Sequence, residues 1–235
     1  MYTFDGKIRY SEIDHNGRLK LPALINYFQD CGTFQSEDIG QGLEVLKERK
    51  RAWFLCYWQV EIRRYPKLAE RITTGTFASG FDKFFGYRYY VMTDEQQDWA
   101  ARAYSLWVNM NTETGSPERL EERDIEGYQM GEALDMKLER RKIKLPSAED
   151  FVKKEPFPVL KCHIDTNEHT NNCQYVQMAL ELLPKDQQIS RLRAEYKKAA
   201  KLGDVIYPQV ADTEGRTTVL LCDAEENPYA VLEFA

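Results

Sequence analysis

The sequence predicts an α+β fold in which one unit, a helix followed by an antiparallel sheet, is used twice. Three observations carry that expectation. First, Ile13-Asp14-His15-Asn16 returns as Ile164-Asp165-Thr166-Asn167, 151 positions later. Second, Glu61-Ile-Arg-Arg-Tyr-Pro-Lys-Leu-Ala-Glu-Arg-Ile72 returns as Glu195-Tyr-Lys-Lys-Ala-Ala-Lys-Leu-Gly-Asp-Val-Ile206, 134 positions later and in the same order. Third, each half places a helical apolar stripe before several strand-like runs. Together they indicate one supersecondary unit copied within the chain, the second copy shorter.

Copy one opens with a short strand expected at Lys7 to Tyr10. A loop with Asp14 and Asn16 follows, then a long helix from about Leu21. Leu21, Leu24, Ile25, Phe28 and Cys31 recur at helical spacing, and Pro22 suits a first helical turn. Strands are expected at Trp53 to Ile62, Ile72 to Ala78, Phe84 to Met92 and Ala100 to Met110, where aromatic and β-branched residues concentrate. Thr93 to Asp98 reads as a hairpin turn. Copy two repeats the order. A strand is expected near Val159 to Ile164, a helix over about Asn172 to Leu183 with Pro184 as its stop, then strands at Ile189 to Lys197, Val205 to Val210, Thr217 to Cys222 and Tyr229 to Phe234. The charged stretch between the copies reads as a connector with a solvated face. The expected organisation is residues 1–116, a connector over 117–155, and residues 156–235.

Composition narrows the function class. The chain has 235 residues with 43% hydrophobic, 12% aromatic and 30% charged, enough for a packed globular fold. A net charge of −6 argues against nonspecific nucleic-acid binding. No apolar run reaches the roughly 20 residues that span a bilayer. The N-terminal Met1-Tyr-Thr-Phe-Asp-Gly-Lys has neither signal nor transit character, so a cytoplasmic location and no membrane contact are expected. Five cysteines, Cys31, Cys56, Cys162, Cys173 and Cys222, form no CxxC pair, so neither disulfides nor a zinc site are expected. No metal or other cofactor is expected.

Chemistry concentrates in Asp165-Thr-Asn167-Glu-His169-Thr-Asn171-Asn172. His169 can act as a base near neutral pH. Asp165 could orient it or activate water, and Asn167 offers an amide to water or a carbonyl. In an extended loop the three would point the same way, and the helix start near Asn171 to Cys173 could offer N–H groups to an oxyanion. Asp, Asn and Thr before a helix are also ordinary turn and capping residues. The repeat discriminates: Asp and Asn occur in both copies, whereas Arg18 stands opposite His169. His15 is expected to be a loop residue, His163 structural and Cys173 a minor alternative nucleophile. Glu168 and Glu181 are candidate carboxylates with surface or capping roles as the ordinary reading.

This motif with its following Tyr175 resembles the acyl-acyl carrier protein thioesterases of plants and bacteria. Trp53, Tyr65-Pro66 and Ala103-Tyr-Ser-Leu-Trp107-Val-Asn-Met-Asn111 of copy one fall in the family's order. The resemblance covers nearly the whole chain. It implies a double hotdog fold, two antiparallel sheets each wrapping a central helix. It also implies hydrolysis of fatty acyl thioesters on the phosphopantetheine arm of acyl carrier protein, with Asp165, Asn167 and His169 catalytic and Asn171, Asn172 and Tyr175 binding substrate. The first copy would hold much of the acyl pocket, with the helix near Leu24 to Phe34 as a wall. Phe81, Phe84, Phe85, Tyr87, Tyr89 and Tyr90 could line it or simply pack the core. One departure stands out. Many members read Tyr-x-x-Glu-Cys after the motif helix, whereas here Ala199 and Ala200 stand at the Glu and Cys places. A Cys-based scheme is therefore not expected, and either Asp165 suffices or activity is reduced.

An acidic carrier protein could land on Arg63-Arg64, Lys67 and Arg71, or on Lys197-Lys198 and Lys201, although both sets also read as solvated strand ends. A homodimer is allowed but not required. The competing functions are a coenzyme A thioesterase of the same fold, a hotdog hydratase, and a noncatalytic acyl-binding module, the last favoured by Ala199.

Overall fold

The computed structural model describes residues 1–185 and 187–235, in two compact units. Unit 1 comprises Met1–Cys56 with Val60–Leu138; unit 2 comprises Tyr57–Gln59 with Glu139–Ala235.

Unit 1 runs β1 (Tyr2–Lys7), α1 (Leu21–Asp38), α2 (Leu43–Glu48), β2 (Arg51–Ile62), β3 (Arg71–Asp82), β4 (Phe85–Thr93), β5 (Trp99–Asn111), β6 (Ser116–Pro117) and α3 (Glu122–Ile125). Its strand order is β1-β3-β4-β5-β2, with β6 folded back on β5. Leu24, Ile25, Phe28 and Cys31 on one face of α1 are wholly buried. Phe28 meets Tyr90 of β4 at 5.4 Å between ring centres, and Cys31 Sγ reaches Thr74 O of β3 at 3.4 Å. Each of these large apolar side chains contributes on the order of 1.5–3 kcal/mol by leaving water. The helix comes close: a Cβ at Gly32 would lie 3.1 Å from the Tyr90 hydroxyl. Tyr89 points away from Tyr90, as strand alternation requires, and packs with Phe77 and Met136.

Unit 2 runs β7 (Val152–Lys153), β8 (Phe157–Pro158), α4 (Asn172–Leu180), β9 (Arg191–Tyr196), β10 (Val205–Thr213), β11 (Arg216–Cys222) and β12 (Pro228–Phe234). Its order is β9-β12-β11-β10-β7, with β8 also on β10. The paired strands are antiparallel. Cys173, Tyr175, Val176, Met178 and Ala179 bury one side of α4. On β9, Arg193 and Glu195 are buried rather than solvated. Arg193 binds Glu233 at 2.9 Å, Glu139 at 2.8 Å, the Arg140 carbonyl at 2.7 Å and the Tyr57 hydroxyl at 3.1 Å.

The expected helix at Leu21 and the long strands are present. Three local expectations are corrected. The strand expected at Lys7 to Tyr10 lies earlier, at Tyr2–Lys7, and Tyr10–Glu12 is a 3-10 turn. The strand expected over Val159 to Ile164 is likewise a 3-10 turn at Lys161–His163. Both turns are closed by a side chain accepting from the backbone three residues back: Arg9 N–H to Glu12 Oε2 at 2.8 Å, and Leu160 N–H to His163 Nδ1 at 3.0 Å. Helix α4 stops at Leu180, and Glu181 to Leu183 form a turn. Among the described residues no helix is long and apolar enough to cross a membrane.

Candidate active site

The motif lies in the loop between the turn at Lys161–His163 and α4. This loop is folded back rather than extended. Asp165 N–H donates to His169 O at 2.8 Å, Glu168 N–H returns to Asp165 O at 3.1 Å, and Ile164 pairs with Thr170. Asp165 Oδ1 accepts from Asn167 N–H at 2.8 Å and from His169 N–H at 3.4 Å. Glu168 takes φ 60°, the left-handed conformation the reversal needs. The expected alternation of Asp165, Asn167 and His169 along an extended loop therefore does not hold.

Unit 1 contains the same loop. Asp14 N–H donates to Arg18 O at 2.7 Å, Gly17 N–H to Asp14 O at 3.0 Å, and Ile13 pairs with Leu19. Asp14 Oδ1 accepts from Asn16 N–H at 2.8 Å and Arg18 N–H at 2.9 Å. Gly17, at φ 71°, occupies the place of Glu168. One carboxylate oxygen thus shapes the loop in both copies, which explains the recurrence of Asp. The differences lie in the side chains. Asn16 holds His15 Nε2 at 3.1 Å, whereas the Asn167 amide and Asp165 Oδ2 make no hydrogen bond among the described residues. His169 replaces Arg18 and is half-buried, with Nδ1 inside the protein.

A frame behind the loop holds it. Ala200 O accepts from Thr170 N–H at 2.9 Å and Thr170 Oγ1 at 3.0 Å, and Ala200 N–H donates to the Tyr175 hydroxyl at 2.8 Å. Tyr196 donates its hydroxyl to Asn172 O at 3.0 Å and packs edge-on against Tyr175 at 5.8 Å. Burial pushes the Tyr196 phenol far above its ordinary value and raises Tyr175 too, opposed there by the Ala200 and Thr170 contacts, so both stay neutral at physiological pH. Asn171 caps α4 by accepting from Cys173 N–H at 2.9 Å, and its own N–H goes to His163 O at 2.9 Å. Two of the backbone donors expected to meet an oxyanion are therefore occupied within the loop.

Ala199 is half-buried beside Ala200 and brings no carboxylate. Glu168 is exposed at the loop apex, and Glu181 accepts from Gln177 Nε2 at 2.7 Å on the surface. Cys173 is buried beneath the Asn171 cap, His163 closes its own turn, and His15 is exposed. Sequence reasoning missed Thr170 and Ala200 as the clasp. Leu19 and Pro66 stand at the corresponding places with Leu19 N–H donating to Pro66 O at 2.8 Å, but the residue types differ, so the match shows only in the structure.

The comparisons with known proteins bear on the family and the fold. Residues 1–128 match the family described as the acyl-ACP thioesterase N-terminal domain, and residues 147–227 match its C-terminal domain. A chloroplastic acyl-acyl-carrier-protein hydrolase of Cuphea viscosissima is 24% identical over 215 residues, 85% of this chain and 52% of that protein. The chain spans 52–60% of the length of the curated relatives it matches. Among solved structures, an acyl-ACP thioesterase from Bacteroides thetaiotaomicron superposes with TM-score 0.89 at 22% identity, covering 99% of this chain and 96% of that one. The 12:0-ACP thioesterase from Umbellularia californica gives TM-score 0.86 at 18% identity, covering 99% and 95%. These likenesses establish the α+β double hotdog fold, each sheet with its own helix. With both family domains matched in order, the chain belongs to the acyl-ACP thioesterase family.

Proposed function

We propose that the chain hydrolyses fatty acyl thioesters on acyl carrier protein, releasing the free fatty acid, with His169, Asp165 and Asn167 at the reacting centre. The observation that carries this is the duplicated loop. Its backbone and its Asp are common to both units, so they account for shape; His169 is the titratable side chain that replaces Arg18 in the second. In the step, water oxygen bonds to the thioester carbonyl carbon while His169 takes the water proton. The C–S bond then breaks and the proton passes to the departing sulfur. Asp165 Oδ2 is the open acceptor for that water. The Asn167 amide is the open donor for the carbonyl oxygen. Asn171, Asn172 and Tyr175 serve the substrate by holding the loop that meets it, since Asn171 and Tyr175 are engaged internally.

The test is thiol release from acyl-carrier protein and from acyl-coenzyme A by wild type and His169→Ala. A fall of about a hundredfold or more on carrier-linked substrate supports the assignment. Unchanged release refutes it. Binding of acyl chains without turnover by wild type would favour the noncatalytic reading, which Asp165 Oδ1 being spent on the loop and Ala199 lacking a carboxylate make concrete.

A further inference from the structure

The two basic clusters that the sequence offers to an acidic partner are largely neutralised. In the first, Arg64 is held by Glu70 at 2.6 Å and Asp94 at 2.7 Å, Arg71 approaches Glu95 at 3.9 Å, and Arg63 lies over the Trp99 ring. In the second, Lys197 pairs with Glu195, and Lys198 pairs with Asp223 while lying over the Tyr229 ring. Only Lys67 and Lys201 remain outside these contacts.

The segment Glu139-Arg-Arg-Lys-Ile-Lys144 behaves differently. Its one acid faces inward: Glu139 binds Arg191 at 2.7 Å and Arg193 at 2.8 Å. The Arg140 carbonyl takes Arg193 Nη2 at 2.7 Å, and Ile143 N–H donates to Glu195 at 3.2 Å. Ile143 is 2% exposed, packed with Leu220, Cys222 and Val231. The backbone is thus pinned against β9 side chains at both ends. Arg140, Arg141, Lys142 and Lys144 are exposed, and among the described residues none of them makes an ion pair. A floating basic tail would lose conformational freedom on binding; a pinned strap presents four cations with that cost already met in folding. The strap is also near the chemistry. Its contact Glu195 precedes the loop's clasp Ala200 by five residues, a reach of at most about 18 Å.

We propose that Arg140, Arg141, Lys142 and Lys144 are the docking surface for an acidic protein partner, the carrier protein that delivers the thioester. This rests on the carrier-protein reading above. Positive strap against negative partner would act through encounter rate and orientation, and would weaken with salt.

The experiment measures binding of holo-carrier protein by fluorescence anisotropy at low ionic strength, with kinetics on carrier-linked and N-acetylcysteamine-linked acyl thioesters. The variants are R140E/R141E/K142E, its glutamine counterpart, and K197E/K198E, each checked for unchanged Tm. The strap reversal is expected to weaken carrier binding about tenfold or more, with the glutamine variant between, and to lower the ratio of carrier-linked to small-thioester kcat/KM similarly. A change under about twofold overturns the proposal, as does an equal loss in K197E/K198E or absence of carrier binding by wild type. Strap-dependent binding without hydrolysis would instead refute the thioesterase reading and leave the docking surface standing.

Discussion

Thr170 N–H donates to Ala200 O at 2.9 Å, joining the two segments that the sequence repeats separately. The first repeat supplies the loop and the second supplies its anchor. The contact recurs in unit 1 between Leu19 and Pro66 at 2.8 Å, so the frame is common to both units. Neighbouring bonds recur as well: Val159 N–H to Asp204 O at 2.8 Å matches Ile8 N–H to Glu70 O at 3.0 Å. Unit 2 adds one element to the clasp, the Thr170 hydroxyl on the same carbonyl at 3.0 Å.

That hydroxyl gives the first prediction. Thr170 is 3% exposed, and Thr170→Val keeps its shape while leaving the backbone bond to Ala200 intact. The substitution is expected to destabilise the fold by about 1 kcal/mol through loss of one buried hydrogen bond. Urea denaturation reads it. A loss above about 3 kcal/mol would mean the hydroxyl holds more than Ala200.

Much of this frame was legible in the sequence because the two echoes kept their order, and because Leu24, Ile25 and Phe28 mark the buried side of α1 so plainly. The failures have physical causes. Helix α2 spans only six residues, too few for a helical period to show. The turns at Tyr10–Glu12 and Lys161–His163 read as strand ends because their closing bonds come from side chains. Arg191-Leu-Arg-Ala-Glu-Tyr196 alternates like a half-solvated strand, yet Arg193 and Glu195 are covered by the Glu139–Ile143 strap. At the site, residue types were visible but not direction: sequence alone could not show that Asp165 Oδ1 faces the loop and Oδ2 does not.

Separating shape from chemistry is the second prediction. Asp165→Asn retains an oxygen for Asn167 N–H and His169 N–H, so the loop is expected to persist with stability within about 1 kcal/mol of the parent. Removing the charge at Oδ2 should still lower kcat on acyl-carrier protein by about a hundredfold. Asp14→Asn, the same change in unit 1, should leave kcat intact. Equal effects of both substitutions would reduce Asp165 to a turn residue.

The arginine cluster of unit 2 sets a pH dependence. Burial pushes the Glu139 carboxyl up, but Arg193, Arg191 and Arg216 outweigh it and hold it below its ordinary value. Its folded pKa is therefore lower than its unfolded one, so the unfolded chain binds more protons in the acid range. The stabilisation is complete above the unfolded carboxylate value of about 4.3 and is lost as pH falls through the folded value. Glu139→Gln should flatten the stability profile below about pH 5 relative to the parent, read as Tm against pH. Arg193→Leu removes the buried cation shared by Glu233 and Glu139 but leaves Arg216 on both and Arg191 on Glu139, and should cost about 1.5–3 kcal/mol at neutral pH. An unchanged acid limb in Glu139→Gln would place the titration elsewhere.

Cysteine accessibility bears on the nucleophile. Cys31, Cys173 and Cys222 are buried, Cys56 is half-buried, and Cys162 is exposed beside the motif loop. Burial pushes the Cys31 thiol to about 12 and Cys222 to about 11, so neither forms thiolate at physiological pH. Cys173 is 2% exposed, so the folded protein shields its thiol from a thioester carbonyl. A thiol reagent applied to the folded protein should therefore give one fast phase, and Cys162→Ser should remove it. Mass mapping should find Cys173 unmodified while acyl-carrier protein hydrolysis continues. Rapid labelling of Cys173 with parallel loss of hydrolysis would replace the His169-activated water with a thiolate, and the duplicated loop would then be a holder for that sulfur.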